Sequence, residues 1–245
     1  MLTALLAAVL LSPAWAPHTR EAAAYATTRP GTVAFAVRTE KDVWGRDLDR
    51  PVQGASVVKA LLLVAYLRHE DVRDRPLRRD EQKLLSPMIR WSNNDAASTL
   101  VTRLGAEHVN RVAHRAGMGR FRLDTVVWGR SLITAREQSR FFLQIDNLVP
   151  PRHRAYAMQL LGTVVHTQRW GIAEVAPRGW SLYFKGGWGS GRGLVDHQVA
   201  LLERGGERVS VAILTTVSGT HRNGKATLRG VARRLLSGLA RSDPA

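Results

Sequence analysis

Apolar and polar positions change period twice along the chain. Thr19 to Ala26 reads as a short helix, and Thr32-Val-Ala-Phe-Ala-Val-Arg38 reads as a strand. A second strand is expected around Asp42 to Leu48, with a turn at Gly45, and Pro51 to Ala55 reads as a connection. From Lys59 to about Ala176 the spacing is mostly helical. Asp80 to Arg90 and Asn94 to Leu104 carry helical apolar spacing and are parted by Trp91-Ser92-Asn93. Ala106 to Ala116 is a further helix closed by Gly117. Thr134-Ala-Arg-Glu137 fits a capping box opening Ala135 to Ile145, which Asp146-Asn147 and Pro150-Pro151 end. Arg154 to Val165 is helical again. At Trp180 the pattern changes: Ser181 to Lys185, Leu194 to Glu203 and Arg208 to Val217 read as strands, with Gly205-Gly206-Glu207 as a hairpin turn. Lys225 to Leu239 predicts a closing amphipathic helix.

Strands at both ends thus flank a helical middle. The expected fold is α/β: one antiparallel sheet built from both chain ends, flanked by helices, with an all-helical lobe inserted. The expected division is an α/β lobe over 25–55 and 177–245 and a helical lobe over 56–176. Leu2 to Leu11 is an apolar run followed by Ser12-Pro13 and Ala14-Trp15-Ala16, so residues 1–16 read as a secretory signal with a small-x-small cleavage site. The run is too short to span a bilayer as a helix, and the expected location is extracytoplasmic, secreted or in the cell envelope.

Composition narrows the chemistry. There is no cysteine among the 245 residues, which excludes disulfides, thiol catalysis and cysteine-ligated zinc. The net charge is +16, and five of the 36 basic residues are lysines. Such a charge favours encounters with polyanions, and anionic envelope polymers are a candidate partner. The arginines are scattered without a stripe of stacking aromatics, so nucleic-acid binding is not expected. His166, His197 and His221 lack metal-ligand spacing and read as isolated histidines; no metal or cofactor is implied. Gly186 to Gly193 lacks the lysine–hydroxyl ending of a phosphate loop, and its glycines suit a strand bordering a ligand.

Three polar clusters stand in order: Ser56-x-x-Lys59, Ser92-Asn93-Asn94 and Lys185-Gly186-Gly187. A serine at the mouth of a helix meets positive potential and unpaired N–H groups. A lysine three residues on sits one turn along, where its amine can reach that hydroxyl, and burial would lower its pKa enough for it to act as a base. Asn93 reads as a residue that shapes its loop. Trp128 and Trp188 are equally compatible with a substrate cleft and with packed core.

With these clusters the chain resembles the penicillin-recognising serine hydrolases, most closely the class A β-lactamase-like group. Met88-Ile-Arg-Trp-Ser-Asn-Asn-Asp95 resembles that family's serine–asparagine loop, and Thr167-Gln-Arg-Trp-Gly-Ile172 a segment leading to the third motif. The resemblance covers roughly Gly31 to the end and implies the two-lobe fold inferred above. It implies that Ser56 is the acylated nucleophile, Lys59 its proton-transfer partner and Ser92 the donor to the leaving nitrogen. It further implies that Asn94 holds the substrate amide, Lys185 supplies positive potential for a carboxylate, and the N–H groups of Ser56 and Trp188, beside Gly187, form the oxyanion hole. The implied substrate is a β-lactam amide or the D-Ala-D-Ala end of a wall peptide, and the expected state is a monomer.

Two departures bear on turnover. The third motif usually has a hydroxyl residue where Gly186 stands, which removes a hydrogen bond worth about 1–2 kcal/mol. Class A enzymes activate the deacylating water with a loop glutamate. Here Leu123-Asp-Thr-Val-Val-Trp-Gly-Arg-Ser131 is short, and its acid, Asp124, matches a structural aspartate better than the base. Glu137 is accounted for by its capping box. Two alternatives therefore stand beside a lactamase: a D,D-peptidase-like or slowly deacylating penicillin-binding protein, and a catalytically idle envelope-binding protein of the same fold.

Overall fold

The structure, a computed structural model, describes residues 15–190 and 194–239; the expected leader lies outside them except for its last two residues. Seven strands form: β1 (Thr32–Arg38), β2 (Val43–Arg46), β3 (Val52–Gln53), β4 (Leu132–Ile133), β5 (Ser181–Gly189), β6 (Val195–Arg204) and β7 (Glu207–Thr216). The helices are α1 (Thr19–Thr27), α2 (Val58–Leu67), α3 (Glu70–Arg73), α4 (Arg79–Arg90), α5 (Asn94–Arg115), α6 (Ala135–Leu143), α7 (Ile145–Leu148), α8 (Pro151–Gly162), α9 (Ile172–Val175) and α10 (His221–Leu235).

Five strands make one antiparallel sheet in the order β2-β1-β7-β6-β5, so both chain ends contribute and β5 is an edge. The sheet is buried on both faces. Phe35, Val37, Val211 and Ile213 pack with Leu228 and Val231 of α10 and Ala22 of α1, whereas Ala36, Ala212, Leu214 and Val199 join the helical middle. Small residues on that second face leave room for α6, which lies directly across β7 and β1. All ten residues of α2 are buried, Lys59 among nine less polar neighbours.

The expected elements form, with four corrections. Gly45 sits inside β2 opposite Ala36 rather than in a turn, and its missing Cβ lets the Phe35 carbonyl approach. Pro51 to Ala55 contains β3, which pairs with β4, two residues being too short for a periodic signal. The helix expected over Ala135 to Ile145 stops at Leu143, and α7 starts at Ile145. The last helix begins at His221, because Thr220 caps it by accepting a hydrogen bond from Asn223 N. Gly105 (φ 68°) breaks α5 between the two stretches expected as separate helices.

One buried ionic network anchors the helical middle. Arg75 donates to both oxygens of Glu81 (2.9 and 2.6 Å), joined by the Arg78 N–H (2.6 Å) and the Tyr66 hydroxyl of α2 (3.0 Å). These donors, Arg75 foremost, draw the Glu81 pKa down to about 2. A lowered carboxylate pKa adds stability that is complete above the ordinary value of 4.5 and lost as pH falls toward about 2. Glu81→Ala is therefore expected to destabilise the protein by taking the shared acceptor from the Arg78 N–H, the Tyr66 hydroxyl and Arg75. Denaturant melts from pH 7 down to 2 should show the variant losing part of the acid dependence of the wild type.

Candidate active site

The three polar clusters converge at the outer side of the β5 edge. Gly54 to Val57 lead into α2 through a tight turn in which Ala55 holds a left-handed conformation (φ 44°), and Ser56 follows it, nearly buried. Two ties fix this turn. The Gly54 N–H donates to Ser131 O (2.8 Å), and His197 of β6 donates from Nε2 to Gln53 O (2.8 Å). Since His197 Nδ1 accepts from Thr215 N (3.1 Å), the ring is neutral, and burial lowers its pKa to about 4. His197 is thus a strand histidine with a structural task beside the Ser56 turn.

Gly187 of β5 lies against the same turn. A Cβ there would meet Val57 N at 2.8 Å, Ser56 N at 2.9 Å and Gly54 O at 3.1 Å. These are backbone atoms, so only glycine lets the strand edge come this close.

Lys59 projects from α2 and is fully buried. Its Nζ donates to Ser92 O (2.5 Å), Ser92 Oγ (3.1 Å) and Asn94 Oδ1 (2.7 Å). The amine is therefore turned to the second cluster rather than to Ser56, because that loop offers three acceptors at once. Ser92 itself is left-handed (φ 60°), and Asn93 shapes the loop by accepting from Ala96 N (2.8 Å) at the start of α5. Lys185, also fully buried, donates to the same Ser92 Oγ (3.1 Å) and to Gly186 O (2.7 Å). Burial lowers the Lys59 pKa to about 7. Burial, and then the neighbouring Lys59, hold Lys185 well below the ordinary lysine value. No carboxylate contributes to either shift among the described residues.

With a pKa of about 7, Lys59 is part ammonium and part amine at neutral pH. The ammonium donates to all three acceptors; the amine keeps two N–H bonds, to Ser92 O and Asn94 Oδ1, and its lone pair can accept the Ser92 hydroxyl proton. Lys185 can then donate to the vacated side of Ser92 Oγ, giving a directed chain from Lys185 through Ser92 to Lys59.

The loop expected to carry a water-activating acid is closed on itself. Asp124 Oδ1 accepts from Val126 N (3.0 Å) and Val127 N (2.8 Å), as befits a structural aspartate. Glu137 accepts from Arg120 N (3.1 Å), while Thr134 caps α6 through Glu137 N (3.2 Å). Beside Lys59 stands Trp128 instead, its ring centroid 4.9 Å from Nζ and its indole N–H donating to Ser98 Oγ (3.1 Å). Trp188 lies half-exposed near Lys185, 5.9 Å from Nζ to ring, and packs edge-on against Trp170.

Two residues escaped the sequence reading. Trp170 lies over Gly186, where a Cβ would meet its ring at 3.1 Å, so the indole fills the space of the absent side chain. Buried Gln198 of β6 holds that segment by donating to Trp170 O (2.7 Å) and accepting from Ile172 N (2.5 Å). The Thr167–Ile172 resemblance was a signal for Trp170; a glutamine inside a strand gives none. His221 pairs with buried Asp196 (2.9 Å) at the start of α10, and His166 is exposed. Among the described residues, no cluster of three His, Asp or Glu could hold a metal ion.

Fold and site together define an α/β protein with a serine and two lysines gathered at the edge of an antiparallel sheet. The chain belongs to the β-lactamase enzyme family, whose match covers residues 74–239, beyond the Ser56 turn. No curated protein matches it in sequence. A β-lactamase from Sphaerobacter thermophilus is 19% identical in structural alignment, covering 93% of this chain and 98% of its own, with a TM-score of 0.78. The class A β-lactamase of the last common ancestor of Gram-negative bacteria is 20% identical over 91% of this chain and 99% of its own, with a TM-score of 0.77. At these identities the likeness shows the fold.

Gly187→Ala is expected to push the Ser56 turn off the strand and lower the melting temperature by several degrees. Gly189→Ala, whose Cβ would meet Val195 Cγ2 at an ordinary 3.9 Å, should melt like the wild type. Thermal unfolding followed by circular dichroism separates the two.

Proposed function

We propose that the protein is an extracytoplasmic serine acyl-transfer enzyme that opens a β-lactam amide, or the D-Ala-D-Ala end of a wall peptide, on Ser56 and releases the acyl group slowly. One observation carries this reading: Lys59, Ser92 and Lys185 share one hydrogen-bond network, one helical turn from Ser56 on the turn packed against Gly187, while Trp128 rather than a carboxylate covers the Lys59 amine. The leader-like residues 1–16 and the family support action outside the cytoplasm.

In this reading the neutral Lys59 amine turns from Ser92 to take the Ser56 proton as Oγ attacks the carbonyl carbon. The tetrahedral oxyanion is held by the N–H groups of Ser56 and Trp188. The proton then passes through Ser92 to the departing nitrogen as the C–N bond breaks, leaving an ester on Ser56. Asn94, whose Oδ1 is held by Lys59, offers its amide N–H to the substrate, and Lys185 faces a carboxylate. Hydrolysis of the ester needs a base for water. The indole of Trp128 excludes water from Lys59 and cannot accept a proton, so the acyl group persists.

Intact-mass spectrometry of the protein mixed with a penicillin should show a lasting single adduct, absent in Ser56→Ala. Trp128→Glu, which brings a carboxylate to that loop, should shorten the adduct lifetime at least about tenfold. Rapid loss of the wild-type adduct with ring-opened product would make the protein an efficient lactamase. No adduct with penicillins or with D-Ala-D-Ala esters would make it a binding protein, a reading favoured by the amine's turn away from Ser56.

Acylation should also titrate with Lys59. A base acts in its neutral form, and burial sets the Lys59 pKa at about 7. Adduct formation should therefore rise from pH 5 to a plateau above pH 8, half-maximal at about 7. Lys59→Met should be slow and nearly flat across that range in stopped-flow measurements.

A further inference from the structure

At the far end of α2, roughly 14 Å along the helix from Lys59, a cavity of about 520 Å³ opens between that helix, α3 and the Gly105 break in α5. Its charged lining is four arginines, Arg68, Arg73, Arg111 and Arg115, against two glutamates, Glu70 and Glu107, with the imidazoles of His69 and His108 beside them. We propose that this cavity binds a phosphate-type oxyanion, as a free di- or oligophosphate or as the phosphodiester of an anionic polymer.

The charges there are only partly answered from within the protein. Arg111 pairs with Glu107, and Arg73 with Asp74 at 2.8 Å, all exposed. Arg115 forms no ion pair or side-chain hydrogen bond that the structure records. Helix C-termini favour cations, and Arg68 serves that purpose by donating from Nη1 to Leu148 O (2.6 Å) at the end of α7. That need does not account for the other guanidinium groups gathered with it.

Their mutual repulsion is visible in two half-buried members. Burial, then Arg115 and Arg73, hold Arg68 below its ordinary pKa. Burial also lowers His108, with His69 and Arg111 adding to it and the Ala65 carbonyl and Glu70 opposing it. An oxyanion between these groups would relieve the repulsion and accept charge-assisted hydrogen bonds from forked guanidinium donors. One imidazole can add a donor. His69 Nδ1 accepts from Asp71 N (3.4 Å), which leaves the proton of neutral His69 on Nε2, whereas the N–H of neutral His108 is already spent on Ala65 O (2.9 Å). The two rings pack at 5.0 Å. The site does not depend on Ser56 and would persist in a protein without acylating activity.

Calorimetric titration of the full chain with inorganic pyrophosphate tests this. Arg73→Gln/Arg115→Gln removes two exposed charges of the cavity, and Arg20→Gln/Arg233→Gln removes two exposed charges from α1 and α10. Saturable binding of one equivalent, weakened at least about tenfold in the cavity variant and unchanged in the control, is the expected result. Equal weakening in both variants, or no saturable binding by the wild type, would overturn the site. A long-chain polyphosphate bound more tightly than pyrophosphate, with the same loss in the cavity variant, would identify a polymer; equal affinity would identify a small phosphate.

Discussion

Two buried lysines sharing one serine hydroxyl is the arrangement on which the rest of the structure depends. Lys59 and Lys185 each donate to Ser92 Oγ at 3.1 Å, and neither is balanced by a carboxylate among the described residues. Two ammonium ions so placed would repel strongly in a poorly solvated site. The protein meets that cost by lowering both pKa values, and the low Lys59 value follows from its burial among the nine other buried positions of α2. The core of the helical middle and the acid–base character of the site are one feature.

The surrounding backbone bears the strain of holding this pair. Ala55 and Ser92 are both left-handed without being glycine, a conformation costing on the order of 1 kcal/mol each. Each sits where a polar side chain must leave its element at an unusual angle: Ser56 after Ala55, and Ser92 between α4 and α5. The strained turn is held in place by the Gly54–Ser131 hydrogen bond, the neutral His197 and the bare Cα of Gly187. The sheet edge, the loop after the helical middle and the first turn of α2 therefore share one rigid junction.

Membership in the β-lactamase enzyme family and the fold's likeness to class A structures give this junction its context. The rim of the junction is aromatic. Trp128 stands over Lys59, Trp170 fills the space beside Gly186, and Trp188 packs against Trp170 near Lys185. Indoles exclude water and offer a π face to a cation without offering a proton acceptor. A site rimmed this way places apolar surface and cation-facing rings around its two lysines.

The sequence by itself determined the order of elements, the sheet built from both ends and the three polar clusters. Those features are local: strand runs, helical spacing, the glycine stops at 105 and 117 and the Ser-x-x-Lys spacing are all written within a few residues. It also marked the lack of a loop glutamate between Leu123 and Ser131, because a missing residue type is visible in a string. Tertiary structure alone decided where the Lys59 amine points, since Ser92 and Asn94 are 33 and 35 residues away. It decided that Trp128 covers that amine, that Gln198 seats Trp170, and that two residues at 52–53 pair with two at 132–133. Contacts of that kind depend on which distant surfaces the core brings together, and a one-dimensional pattern carries periodicity but not that distance.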